Sequence, residues 1–115
     1  MGQPYLYHLA VAGDWDRARP EYRGSTLGRT LEEEGFVHCS TAGQVQDTAD
    51  RFYRGRADVV LLTIDPARVD AEIRVEGGFP HVYGPLPTAA VVAAAPVPLG
   101  DDGRLQVTGL LGSAR

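Results

Sequence analysis

Residues 58–65, DVVLLTID, constrain this chain more than any other segment. The six inner positions run Val59-Val60-Leu61-Leu62-Thr63-Ile64 with no polar alternation. A strand of that kind is covered on both faces. The fold therefore needs one layer on each side of a central strand. A chain of 115 residues can supply both, since a domain of this size buries about two-thirds of the surface its unfolded form exposes. One domain over 1–115 is expected, with its core at about 5–97 and a frayed tail at about 108–115.

The flanking segments supply the layers. Residues 5–12, YLYHLAVA, read as a first strand. Leu6, His8 and Ala10 share one face, and Tyr5, Tyr7, Leu9 and Val11 the other. Asp14 is placed to cap a short helix carrying Trp15 and Ala18, ending near Pro20. Residues 21–26 read as a loop. Thr26 opens a helical turn through Leu27 and Leu31 that ends at Gly35. Residues 36–41 read as a short strand. A helix over 42–53 follows, capped by Ser40 or Thr41, with Val45, Ala49, Phe52 and Tyr53 inward. Residues 71–76 alternate, which puts Ala71, Ile73 and Val75 inward. Gly77-Gly78 makes a turn. Residues 79–86 are broken by proline and read as an edge strand or ordered loop. Residues 89–97 read as a strand and 100–103 as a turn, with a further strand at 104–107. Strands outnumber helices without regular alternation, so the class is α+β.

Composition narrows the chemistry. All 11 basic residues are Arg, and neither Lys nor Asn occurs, which reads as a genomic signature. Schiff-base and P-loop lysines are excluded, as is a Cys-His-Asn triad. Cys39 is the single cysteine, so no internal disulfide forms. On its strand it points at the core as a small hydrophobe. The first residues match neither a signal peptide, a membrane span nor a myristoylation pattern. A cytoplasmic protein without membrane partners is expected. A net charge of −4 argues against a nucleic-acid partner. Arg51, Arg54 and Arg56 form the one basic cluster and read as a solvated helix end. Nothing in the sequence specifies an oligomeric state.

The three histidines carry the most information. His8, His38 and His81 all lie in ordered, partly apolar segments, where ring nitrogens need partners. His38 and Ser40 share a strand face and can line one pocket. Arg74 and Glu76 share a face of the alternating strand. They read either as an exposed ion pair or as an anion clamp beside a working carboxylate. Residues 79–85, FPHVYGP, read as a rigid pocket wall. Tyr22 and Tyr83 are candidates to stack on a ligand ring. Three histidines also admit a metal-dependent hydrolase, but no HExxH or CxxC spacing supports it.

The motifs GFVHCST at 35–41 and FPHVYGPL at 79–86 are joined by Tyr7-His8, Asp14-Trp15, ADRFY at 49–53 and LLTID at 61–65. Together they resemble the bacterial domain-of-unknown-function family 952. That resemblance implies an ADP-ribosyltransferase-like fold: two small, mostly antiparallel sheets around a cleft, with two or three short helices. It implies an NAD- or phosphonucleotide-using transferase or glycohydrolase, with NAD as substrate and no metal. His38, Glu76 and His81 would then be catalytic. His8, Ser40, Arg74, Tyr22 and Tyr83 would bind the nucleotide. Cleaving an N-glycosidic bond builds positive charge on the ribose, which a carboxylate such as Glu76 stabilises. The rival reading is a non-catalytic module that holds a nucleotide-like small molecule in the same cleft. All four groups His8, His38, His81 and Glu76 are expected to converge on one cleft.

Overall fold

The computed structural model describes residues 4–27 and 29–111. The doubly apolar segment forms β4 (Val59–Ile64), the middle strand of an antiparallel sheet with β1 (Leu6–Val11) and β8 (Val91–Pro96). All six β4 residues are buried. His8 lies opposite Leu62 and Tyr7 opposite Thr63. The sheet is covered on both faces. Leu6, Ala10, Leu62 and Ile64 pack with Tyr22, Val37, Val82 and Leu86 on one side. Tyr7, Leu9 and Leu61 pack with Val45, Ala49, Tyr53 and Val107 on the other. The facing expected for the first strand is therefore the one observed.

A second antiparallel sheet has the order β3 (Val37–His38), β6 (Phe79–Val82), β5 (Ile73–Glu76). Gly77 and Gly78 both have positive φ, at 60° and 86°. That is the requirement of a two-residue type I′ hairpin between β5 and β6. Residues 79–82 are the centre of this sheet, not its edge. Pro80 is tolerated because it lies one residue beyond the paired stretch of β3. Its carbonyl still accepts from the Cys39 N–H at 3.0 Å. Val75 is 71% exposed, so the inward placement expected for it fails. β5 is an edge strand with only Ile73 turned toward the core.

A third, two-stranded ribbon pairs β2 (Glu21–Tyr22) with β7 (Leu86–Pro87), where a loop was expected. The architecture is thus α+β, with three small antiparallel sheets among the described residues rather than two. Two backbone bonds join the first sheet to the segment after β3. Tyr7 N–H donates to Ser40 O at 2.8 Å, and Ser40 N–H to Tyr7 O at 2.7 Å. Among the described residues no helix is long and apolar enough to cross a membrane.

The helices are shorter than expected. α1 spans Ala12–Asp16, with Asp14 inside its first turn and bonded to Arg17 at 2.9 Å rather than capping. α2 spans Leu31–Glu34 and starts at Thr30, not Thr26. Thr30 and Glu33 form a reciprocal capping box, and Gly35 ends the helix at φ 88°. Thr30→Ala is expected to lower stability by about 1 kcal/mol in urea unfolding. α3 spans Val45–Phe52 without a side-chain cap, and Phe52 is 52% exposed rather than inward. Residues 104–107 make an isolated bridge, Leu105 to Leu99, instead of a strand. Leu110 and Leu111 pack on the second core. The rest of the tail expected to fray, 112–115, lies outside the described residues.

Candidate functional site

His8 is a brace. Its side chain is buried in the first sheet. Nδ1 lies 2.5 Å from the His38 carbonyl, which can only accept, so Nδ1 carries the proton. Nε2 then accepts from the Tyr22 hydroxyl at 2.9 Å. Both nitrogens are engaged and the ring is neutral. Burial pushes its pKa down to about 4. A ligand contact through His8 is therefore not available. Tyr22, expected to stack on a ligand, is 1% exposed in the core, because β2 pairs there with β7. Burial raises its pKa, keeping it a donor to His8.

His38 and His81 are cross-strand partners on β3 and β6. Their rings meet edge to face, with centroids 4.9 Å apart. Each is held by its own carboxylate. His38 Nε2 lies 3.1 Å from Glu34 Oε1. His81 Nδ1 lies 2.8 Å from Glu76 Oε1. Phe36 stacks on His81, with centroids 4.0 Å apart, and fixes that ring's plane. Burial and the neighbouring His81 lower the pKa of His38, outweighing the pull of Glu34. Among the described residues no protein group takes His38 Nδ1 or His81 Nε2. No buried side-chain nitrogen or oxygen among them lacks a partner, so these two nitrogens are accessible.

Glu76 accepts from both Tyr83 OH and His81. The Tyr83 bond, then the His81 bond, hold its carboxyl below the usual range. Tyr83→Phe is expected to raise the Glu76 pKa toward the ordinary carboxylate value, as read by carboxyl-detected NMR titration.

These groups open onto a cavity of about 510 Å³ between α3 and the second sheet. His38, Glu76 and His81 line its wall; His8 and Ser40 border it as well, but the His8 ring is bonded inside the protein, so the convergence expected of four groups is observed for three of them. Their availability differs. Ser40 is buried, with Oγ bonded to Thr48 at 3.2 Å. Cys39 is buried in the core as expected, and burial pushes its thiol up to about 12, which leaves it inert. Arg74 does not pair with Glu76 and does not line the cavity. It binds Glu72 at 3.1 Å and lies over the Tyr83 ring at 4.7 Å. Tyr83 stands behind Glu76 as its support.

Several wall groups escaped the sequence reading. Glu34 bridges His38 and Arg29, the latter at 2.7 Å. Arg51 lines the cavity from α3, 2.9 Å from Asp47. Phe52 and Phe79 are exposed and line it too. The signal for Glu34 was its four-residue spacing from His38 across Gly35. Among the described residues no three His, Cys, Asp or Glu side chains meet in a metal-holding group.

No curated protein matches the chain. The crystal structure of protein CC0527 from Caulobacter crescentus is similar, at 32% identity and a TM-score of 0.82. That similarity covers 93% of this chain and 97% of that one. The solution NMR structure of CC0527 is 31% identical, with a TM-score of 0.74 over 95% of this chain and 97% of that one. Residues 10–94 match the family described as "Protein of unknown function (DUF952)", and the chain belongs to that family.

Proposed function

We propose that this chain is a cytoplasmic enzyme acting on a phosphorylated nucleotide, NAD among them, as a transferase or glycohydrolase of ADP-ribosyltransferase-like kind. One observation carries the reading. His38 and His81, each held by its own carboxylate, offer one accessible nitrogen apiece to a single cavity. Paired histidines of this type supply a base and an acid at neutral pH. The cavity volume suits a nucleotide-sized ligand. Phe52 and Phe79 give a flat ring apolar surface to lie on.

Calorimetry and ligand-detected NMR with NAD, ADP-ribose and nucleoside phosphates test it. Binding with turnover is the expected result. No binding by any of them at millimolar concentration would overturn it.

A second reading, a non-catalytic nucleotide-binding module, draws on a separate observation. His8 and Ser40, two of the groups expected to bind the nucleotide, are both engaged internally. A bound nucleotide that stays intact, with binding unchanged in Glu76→Ala, would favour that module.

A further inference from the structure

We infer that the His38–His81 pair hydrolyses a singly charged phosphodiester, the cyclic phosphate of a mononucleotide. The inference rests on the reading of the cavity as a nucleotide site and adds a second reaction to that site.

Charge selects the substrate. Arg29 in the cavity wall is matched by Glu34, and Arg51 by Asp47. Glu76 adds a negative charge that no Arg among the described wall residues pairs with, and Arg74, outside the wall, is engaged by Glu72. The fixed charges of the wall therefore rank a dianionic monoester or a polyanion below a singly charged phosphate. One protonated imidazole cancels the charge of Glu76, and a diester then brings the neutral wall one negative charge where a monoester brings two. The chain's net charge of −4 also disfavours a long polyanionic strand. Size points the same way. A cavity of about 510 Å³ holds one nucleotide. The smallest diester a mononucleotide makes is its own cyclic phosphate.

Geometry supplies the reaction. The ring centroids lie 4.9 Å apart, a separation that one phosphate group can bridge with hydrogen bonds to both rings. Glu34 holds His38 through Nε2, leaving Nδ1 as a base. Burial and the neighbouring His81 lower its proton affinity, which favours the unprotonated form of that nitrogen. Glu76 orients His81 through Nδ1, leaving Nε2 as the donor. A water oxygen attacks phosphorus and forms a P–O bond as His38 Nδ1 takes the water proton. The ring P–O bond breaks, and His81 Nε2 gives its proton to the departing ribose oxygen. The product is a nucleoside monophosphate. Proton exchange with solvent resets the pair, and no other reactant is consumed. Glu34 and Glu76 are positioning residues here.

The test follows 2′,3′-cyclic and 3′,5′-cyclic adenosine and guanosine monophosphates by phosphorus NMR with the full chain. Hydrolysis of either isomer is expected, and the isomer cleaved identifies which ring is accepted. His38→Ala and His81→Ala should each lower the rate by about 10²–10⁴-fold. The parent should show a bell-shaped pH profile. Glu34→Gln and Glu76→Gln should shift one limb each while cyclic-nucleotide binding persists. Cyclic nucleotides that bind but stay intact would overturn this inference and leave the nucleotide site standing. Hydrolysis undiminished in both histidine variants would also overturn it. If NAD, ADP-ribose, nucleoside phosphates and cyclic nucleotides all fail to bind, both readings fall.

Discussion

His8→Ala is expected to unfold about 3 kcal/mol more easily than the parent. The substitution empties a buried site in the first sheet and removes two hydrogen bonds. It leaves the His38 carbonyl and the Tyr22 hydroxyl without their partner. Denaturant unfolding at pH 7 checks the magnitude. The pH dependence is a second readout. The folded pKa of His8 is pushed down to about 4, from 6.5 for a free imidazole. Between those values the unfolded chain binds more protons than the folded one, so stability rises with pH. The His8 contribution is complete above pH 6.5 and is lost as pH falls toward 4, a change of about 3 kcal/mol. Below pH 4 it is flat. Subtracting the His8→Ala profile from that of the parent should isolate this slope. Parallel profiles would contradict the neutral, doubly bonded ring.

Gly24→Ala is expected to cost a similar amount, about 3 kcal/mol. A Cβ at Gly24 would lie 2.5 Å from Cζ of Tyr22 and closer still to its hydroxyl. Tyr22 is fully buried and cannot swing aside. Its hydroxyl would have to leave His8, so the two substitutions share one loss. The double variant should be less destabilised than the sum by at least about 1 kcal/mol. Strict additivity in a double-mutant cycle would show that the hydroxyl contact contributes nothing.

The parts of this fold that apolar runs specify were legible in the sequence. The central place of 59–64 follows from two buried faces, and the facing of 6–11 from alternation. The meeting of His38, His81 and Glu76 at one cavity was also legible. Their division of labour was not. The role of His8 depends on Tyr22, which is buried only because β2 pairs with β7, a contact far along the chain. Glu34 reads as one more exposed acid in a helical run. It reaches His38 only because Gly35, at φ 88°, turns the chain back on itself. Arg74 takes Glu72 rather than Glu76 because Tyr83 and His81 claim Glu76 first in space. Pro80 pointed to an edge, yet the position it occupies asks little of its missing N–H.

Strand β4 presents a problem of degeneracy. With all six of its residues buried, sliding β1 one step along it would still set apolar groups against apolar groups. Hydrophobic pattern normally fixes the alignment of neighbouring strands through the contrast between a wet and a dry face. Here that contrast is missing. His8 restores it. One step out of place would turn its ring into the opposite core, away from the Tyr22 hydroxyl and the His38 carbonyl. A single polar side chain thus tells the first strand where to stop. The same contact that sets this alignment also ties β1 to the backbone of His38, where the cavity begins.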